Sequence, residues 1–502
     1  MVQKINRKFL FNLSGTVVVA FWLLMLVQLI KKQHFTEPSA GVTYNDGIIA
    51  IESAEREWKE IFLDSQKIGY SVNLIRPFQD GYFVQEEIFF KINLLGMGRG
   101  VHSVTQTLVD DKFILKSFNL SMSSGVVRYN VSGKVEASRL IIETGKGRDR
   151  RSQAIELSEP PMISASLSHI FKTRKVKVGD KIRLSFFDPS TMAQSEIIVK
   201  VAARESIKIN RLTYEAFRME MEMWGSPITF WIDEHGKTLK EEGFMGLTTI
   251  RSSAAKAPYN IQVDEEDDFY DIVAIKLDNV LSDPRNMSYL KLKVAGIDDT
   301  DQLYRTEGNH RQIFRDGVLE IKKEALPSMG AYNIPYSGSQ GELAPFLIPE
   351  FNVESDAQEI IDMARRIAKD DRDPVSVAGK MQDWVFNNLE KKPVLTVPSA
   401  LEVLRTRVGD CNEHATLLAA LLRASGIPAR LSIGLVYTRN RFYYHAWTEG
   451  YVGKWVSMDA TMNQIPTDAT HITLMYGNLD KQVAISGLIG KLELEVLDFG
   501  YN

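Results

Sequence analysis

Arg407-Val408-Gly409-Asp410-Cys411-Asn412-Glu413-His414-Ala415 is the stretch on which the reading of this chain turns. It holds the one cysteine among 502 residues, where a polar loop runs into the apolar segment Ala415 to Ala424. A single thiol cannot close an internal disulfide, so Cys411 is either a small buried hydrophobe or a nucleophile. Asp410 and Glu413 have the spacing of a capping box, which puts Cys411 in the first turn of a helix. Free backbone N–H groups and the helix dipole favour a thiolate there, while the two acids oppose it. The helix is apolar nearly all round and should be buried, which would hold its first turn rigidly. Gly426 and Pro428 end it.

A thiol nucleophile needs a base, and the base needs an orienting group. Both are offered just downstream. Leu431, Ile433, Leu435 and Tyr437 alternate as a strand, and Thr438 to Arg441 turn. A second strand, Phe442 to Gly450, puts Tyr443, His445, Trp447 and Glu449 on one face; Trp455 to Asp459 forms a third. The intervening Tyr451-Val452-Gly453 fits a three-residue hairpin loop with glycine in the left-handed position. That register sets Gly450 opposite Lys454, and therefore His445 opposite Asp459, on one face. Plainer readings exist for each residue: a core thiol, a half-buried strand histidine, a turn-forming aspartate. A zinc site from Cys411, His414 and His445 is weak with one thiolate, and His414 reads better as a packing or capping residue.

These residues resemble the bacterial transglutaminase-like superfamily, whose core is papain-like. Its pattern is Gly-x-Cys-x-x-x-Ala, then His-x-Trp, then Asp on the next strand. Here it reads Gly409-Asp410-Cys411 to Ala415, His445-Ala446-Trp447, and Trp455 to Asp459 with Ala460-Thr461. Leu421 to Arg430 and Asp468-Ala469-Thr470-His471 also match, so the likeness covers roughly residues 355–475. It implies Cys411 as nucleophile, His445 as base and Asp459 as orienter. The sequence holds no clear calcium loop of the kind animal transglutaminases use, so no cofactor and no metal are expected. The backbone N–H of Cys411 and one further donor would hold the oxyanion.

Upstream, helix signals begin near Ser355. Ser355 is expected to cap a helix carrying Ile360, Ile361, Ala364, Ile367 and Ala368; Asp373-Pro374 starts a second and Ser399 caps a short third. Residues 327–349 are crowded with Pro, Gly and Ser and read as a boundary linker. Leu290 to Val294 and Gly317 to Ile321 are strand-like, and the acidic run 264–268 reads as a solvated loop rather than a metal site. From Ile68 to about residue 255 period-2 runs alternate with Asp and Gly turns, as at Gln79-Asp80-Gly81, which predicts a large curved antiparallel sheet.

The net charge of −4, without a dense Lys/Arg stripe, argues against nucleic acid. Residues 9–30 are apolar enough to span a bilayer. Lys4, Arg7 and Lys8 before them lean the topology toward N-in, C-out. Pro38-Ser39-Ala40 is a poor cleavage site, so an uncleaved anchor is expected rather than a signal peptide. One cysteine suits an oxidising compartment.

The expected fold is α+β. Residues 1–32 form a cytoplasmic tip and membrane anchor, 33–50 a linker and 51–260 an antiparallel β-rich domain. A mixed connecting region at 261–350, a transglutaminase-like catalytic domain at 351–475 and a C-terminal extension at 476–502 complete the chain. The expected activity is acyl transfer at amide bonds of a protein or peptide substrate, hydrolytic rather than cross-linking, outside a single-pass inner (cytoplasmic) membrane anchor. A cross-linking transglutaminase and a non-catalytic scaffold remain alternatives. A groove for lipid or envelope polymer in the β-rich domain is a further option beside the plainer spacer role.

Overall fold

The computed structural model describes residues 53–94, 97–125, 127–145, 150–173, 176–223, 225–243, 246–262, 268–296, 311–338, 341–394, 399–477, 485 and 488–501. The apolar segment 9–30 and all but Asp268 of the acidic run lie outside these residues. Among the described residues no helix is long and apolar enough to cross a membrane.

A 14-stranded antiparallel sheet takes up the first half of the chain. One meander runs from Glu55–Leu63 to Arg151–Glu156; a second runs from Lys181–Asp188 to Leu247–Ser252. The first and last strands pair with each other, Trp58 opposite Ser252 and Leu63 opposite Leu247. The alternation seen in sequence is an alternation of burial: Val127, Tyr129 and Val131 point inward, with exposed residues between them. The sheet curls strongly. The strand of Phe118 and the edge strand of Phe187 are ten places apart on the sheet path, roughly 48 Å if flat. Their rings nevertheless lie 5.5 Å apart. A helix not foreseen from sequence, Ser164–Thr173, joins the two meanders. Ala165 from it enters one apolar cluster, Ile170 and Phe171 the next.

The second half has three layers. The helices Gln358–Ala368, Pro374–Asn388, Ala400–Thr406 and Cys411–Ala424 cover one face of a five-stranded sheet. That sheet contains Ala429–Thr438, Arg441–Tyr451, Trp455–Met458 and Ile472–Tyr476, together with Ile275–Lys276 from far upstream. Its other face packs on a four-stranded sheet of Met287–Ala295, Gln312–Arg315, Val318–Lys322 and Glu493–Tyr501.

Two local expectations need correction. Ser355 does not cap the first helix, which begins at Gln358 with Ala357 in the cap position and no side-chain cap. Ser355 is instead buried in a turn, its N–H bonded to Val353 O. The adjacent Glu354, held by the Ser399 hydroxyl and Leu401 N–H, fixes that turn against the start of the helix Ala400–Thr406. The expected linker at 327–349 is not free either. Its residues 331–336 lie as a strap over the core, with Ala331 N–H on Val452 O, Ile334 N–H on Arg372 O and Tyr336 N–H on Gly426 O. Proline and glycine stop the strap from forming a strand, yet Ile334 is buried as an anchor.

Candidate active site

The capping box forms as the spacing predicts. Asp410 Oδ1 accepts from Asn412 N–H at 3.1 Å, and Glu413 Oε2 accepts from Asp410 N–H at 2.9 Å. Gly409 makes room for it, because a Cβ there would sit 2.2 Å from Glu413 Cβ. Cys411 is therefore the first helical residue. Its sulfur accepts the backbone N–H of Ala446, which brings it beside the strand that carries His445. Burial pushes the thiol well above its ordinary value and the Asp410 charge adds to this, while the Ala446 N–H opposes them. A second acid-facing group comes from outside the matched segment: the Tyr270 hydroxyl donates to Asp410 Oδ2 at 3.2 Å.

His445 and Asp459 do meet, but not through the predicted register. Tyr451 pairs with Trp455, so the loop is Val452-Gly453-Lys454, and Thr448 lies opposite Met458. The ladder is thus offset by two residues from the expected one, and it stops at Met458. An even offset keeps both side chains on the same face and turns direct partners into diagonal neighbours. The chain then leaves the strand, with Asp459 and Gln464 exchanging both backbone hydrogen bonds. This turn swings the Asp459 carboxylate to His445, Nε2 to Oδ2 at 2.8 Å.

Asp459 is completely buried and heavily partnered. Its Oδ1 accepts the backbone N–H groups of Thr461 at 2.7 Å and Met462 at 3.0 Å. Its Oδ2 also meets His471 Nε2 at 3.1 Å. Burial alone would push this carboxyl up, but His445 and His471 together hold it well below the usual carboxylate range. His471 is fully buried, and its second nitrogen, Nδ1, faces Asp468 Oδ1 at 3.3 Å. An imidazole flanked by carboxylates on both nitrogens must donate from both, so it carries two protons. Burial opposes this; Asp468 and Asp459 outweigh it and raise the His471 pKa to about 9. Sequence matching marked Asp468 to His471 without giving His471 a role. The signal available was the three-residue spacing of two ionisable groups next to a strand start.

His414 belongs to the helix rather than to this cluster. It is fully buried, its Nδ1 bonded to Asp410 O at 2.6 Å. Burial depresses its pKa, so the ring is neutral. Among the described residues the three groups that come within 4.8 Å of one another are His445, Asp459 and His471, not the Cys411–His414–His445 set considered from sequence. Ring nitrogens that donate to Asp459 have no lone pair left for a metal.

Comparison with known proteins follows the two halves of the chain. A family model described as the transglutaminase-like superfamily matches residues 361–460, so this segment is a transglutaminase-like domain. A model described as a protein of unknown function (DUF3108) matches residues 93–241. No curated protein matches the chain. Among solved structures, a candidate cysteine protease from Cytophaga hutchinsonii is 20% identical, with 43% of this chain and 86% of that chain covered and a TM-score of 0.29. A β-barrel-like domain of unknown function from Brucella abortus is 12% identical, covering 40% of this chain and 97% of its own, with a TM-score of 0.32. The periplasmic domain of TgpA from Pseudomonas aeruginosa, bound to ethylmercury, is 15% identical, covering 35% and 90%, with a TM-score of 0.21.

Proposed function

We propose that this chain is a cysteine hydrolase acting on amide bonds of a protein or peptide, with Cys411, His445 and Asp459 as its catalytic groups. One observation carries the reading: the 2.8 Å bond from His445 Nε2 to a buried, ionised Asp459, on the strand whose Ala446 N–H holds the Cys411 sulfur. Asp459 takes the Nε2 proton's hydrogen bond, so the lone pair of His445 is on Nδ1. The sulfur rests as a neutral thiol, since burial and Asp410 both disfavour the anion.

Attack then couples two events. Sulfur bonds to the amide carbon while its proton passes to His445 Nδ1, and Asp459 stabilises the imidazolium that results. Asn412 and Glu413 give their N–H groups to the Asp410 side chain and His414 gives its own to Asp410 O. This leaves the Cys411 N–H as the first-turn donor for the oxyanion. His445 returns the proton to the departing amine as the C–N bond breaks, leaving a thioester. Water, deprotonated by His445, attacks the thioester carbon; the C–S bond breaks, His445 returns that proton to the sulfur, and the carboxylic acid leaves with the Cys411 thiol restored. An amine in place of water would make a cross-link instead. The proposed setting is extracytoplasmic, behind an anchor at residues 9–30.

The test is acylation by a peptidyl p-nitrophenyl ester, read by intact mass and peptide mapping. The acyl group should appear on Cys411 and turn over in water, and His445→Ala should slow acylation by roughly 10²–10⁴-fold. An acyl group on another residue, or an unchanged rate in His445→Ala, would sink the proposal. Parallel reactions with added amine report whether transfer competes with hydrolysis.

A further inference from the structure

The short helix Phe269–Val273 lies between the curled sheet and the transglutaminase-like segment and is tied to both. Asp268 caps it, accepting Tyr270 N–H at 3.0 Å, and forms a bridge to Asn93 of the curled sheet. Phe269 and the Tyr270 ring pack on Ile61, Leu63, Ile68, Ile92 and Leu94 of that sheet. Asp271 faces the other way. The Tyr443 hydroxyl donates to its Oδ1 at 2.6 Å, and Arg441 lies 3.3 Å from the same oxygen. The helix is thereby clamped against the strand that carries His445.

This places it beside a gap in the central sheet. One edge of Arg441–Tyr451 is paired along its length with Ala429–Thr438. On the other edge Ile275–Lys276 pairs with Phe442 and Arg441, and Trp455–Met458 pairs with Thr448 to Tyr451. Between them no described strand pairs with Tyr443 to Trp447, and there the Cys411 sulfur takes the Ala446 N–H. From the helix beside this gap the Tyr270 hydroxyl reaches Asp410 Oδ2 at 3.2 Å, one residue before the sulfur. The Asp410 carboxylate draws two donors from its own helix, the N–H groups of Asn412 and Glu413. Tyr270 is a third, brought in from outside the matched segment. Burial pushes its phenol well above the ordinary value and the Asp410 and Cys411 charges add to this, so it stays protonated and donates. An O–H aimed at a carboxylate offsets part of its charge.

We propose that Tyr270 is a positioning residue for Cys411: its hydroxyl holds the Asp410 carboxylate and offsets its charge beside the sulfur, so the curled sheet that anchors the helix governs how readily the thiol reacts. The other titratable groups around the sulfur are Glu413 and His414 on its own helix, His445 and Asp459 across the gap, and Lys391 on the short strand paired with Gly409. None of them is altered in the variants below. The catalytic consequence rests on the function proposed above; the reactivity of the thiol does not.

The experiment is the pH profile of iodoacetamide labelling at Cys411 in the full-length chain, read by peptide mass mapping. The sulfur is half-buried, so the reagent can reach it. Tyr270→Phe keeps the packed ring and removes only the hydroxyl. Its profile should move to higher pH, with labelling at pH 7.5 slowed roughly three- to tenfold. Asp410→Asn, which retains a capping side chain, should move the profile to lower pH. In that background Tyr270→Phe should have no further effect, because the charge that the hydroxyl offsets is gone. Phe269→Leu trims the anchor in the curled sheet without touching the site and should move the profile in the same direction as Tyr270→Phe. A Tyr270→Phe profile that is unchanged or moves to lower pH, an equal shift in both backgrounds, or an unchanged profile in Phe269→Leu overturns the inference. Thermal melting is the folding control: a lowered Tm with an unchanged profile identifies a merely structural contact and also overturns it. The ester assay on the same proteins separates the two readings. Labelling that shifts as expected while no acyl group forms on Cys411 upholds this inference and refutes the proposed function.

Discussion

Replacing His471 by Gln should remove a pH-dependent share of stability that can be calculated. In the folded chain His471 lies between Asp459 and Asp468 and keeps its proton up to about pH 9, against 6.5 for a free histidine. Between those values the folded state binds a proton that the unfolded state does not. Stability therefore falls as pH rises through this window, by about 1.4 kcal/mol per unit. The full contribution, about 3 kcal/mol, is present below pH 6.5 and is gone above about 9. Asp459 and Asp468 act in the opposite direction: both are depressed, so their share is present above the ordinary carboxylate value and disappears as pH falls through their lowered ones. Urea unfolding of wild type and His471→Gln at pH 6, 7.5, 9 and 10 isolates the histidine by difference. The stability gap should shrink by about 3 kcal/mol across the series. A gap that does not vary with pH would mean that His471 is neutral throughout, and the doubly paired cation would have to be abandoned.

Asp459→Asn keeps the shape but removes the charge that serves both histidines; acylation of Cys411 should fall on the order of 10²–10⁴-fold in the ester assay. Asp410→Ala should act in two directions at once. Loss of the cap costs about 1 kcal/mol of stability in urea unfolding. Loss of the charge beside the sulfur should shift the pH profile of iodoacetamide labelling to lower pH. Arg430→Met strands the buried Glu449 carboxylate, which it now holds at 2.8 Å, and should cost about 3–5 kcal/mol by the same measurement. Gly434→Ala places a Cβ 1.8 Å from Ile472 O and should cost about 3 kcal/mol by separating the strand that follows His471.

Local rules carried the sequence reading furthest. The capping box at Asp410 and Glu413, the Asp373-Pro374 start and the Ser399 cap depend on residues three or fewer apart, and all form. The β-rich half was legible because its strands alternate in burial. A curved sheet is expected from sequence, but the extent of the curl rests on contacts such as Phe118 with Phe187 that no local pattern contains. The loop after Tyr451 shows how a wrong detail can give a right pairing. Glycine at 453 does take a positive φ of 110°, but Lys454 belongs to the loop, so the register moved by two and the face was preserved. The His471 cation, the Tyr270 hydroxyl on Asp410 and the strap over the helices were invisible because each joins residues remote in sequence. A buried ionisable group is recognisable only once its neighbours are known.

The strand Ile275–Lys276 bears on how this protein could be divided. It lies 86 residues before the segment matched at 361–460, yet it protects the Phe442 edge of the central sheet. Leu290, Leu292, Leu319 and Ile321, with Leu492 and Leu494 from beyond the matched segment, cover Ile433, Leu435 and Tyr437. A recombinant fragment cut at 351 and 475 would therefore present an unpaired strand edge beside a stripped aliphatic face, the two hallmarks of a sticky polypeptide. It should precipitate or self-associate where the longer chain stays dispersed. The sequence motif marks out a chemical neighbourhood, but the smallest unit that can be expressed and handled extends well past it on both sides.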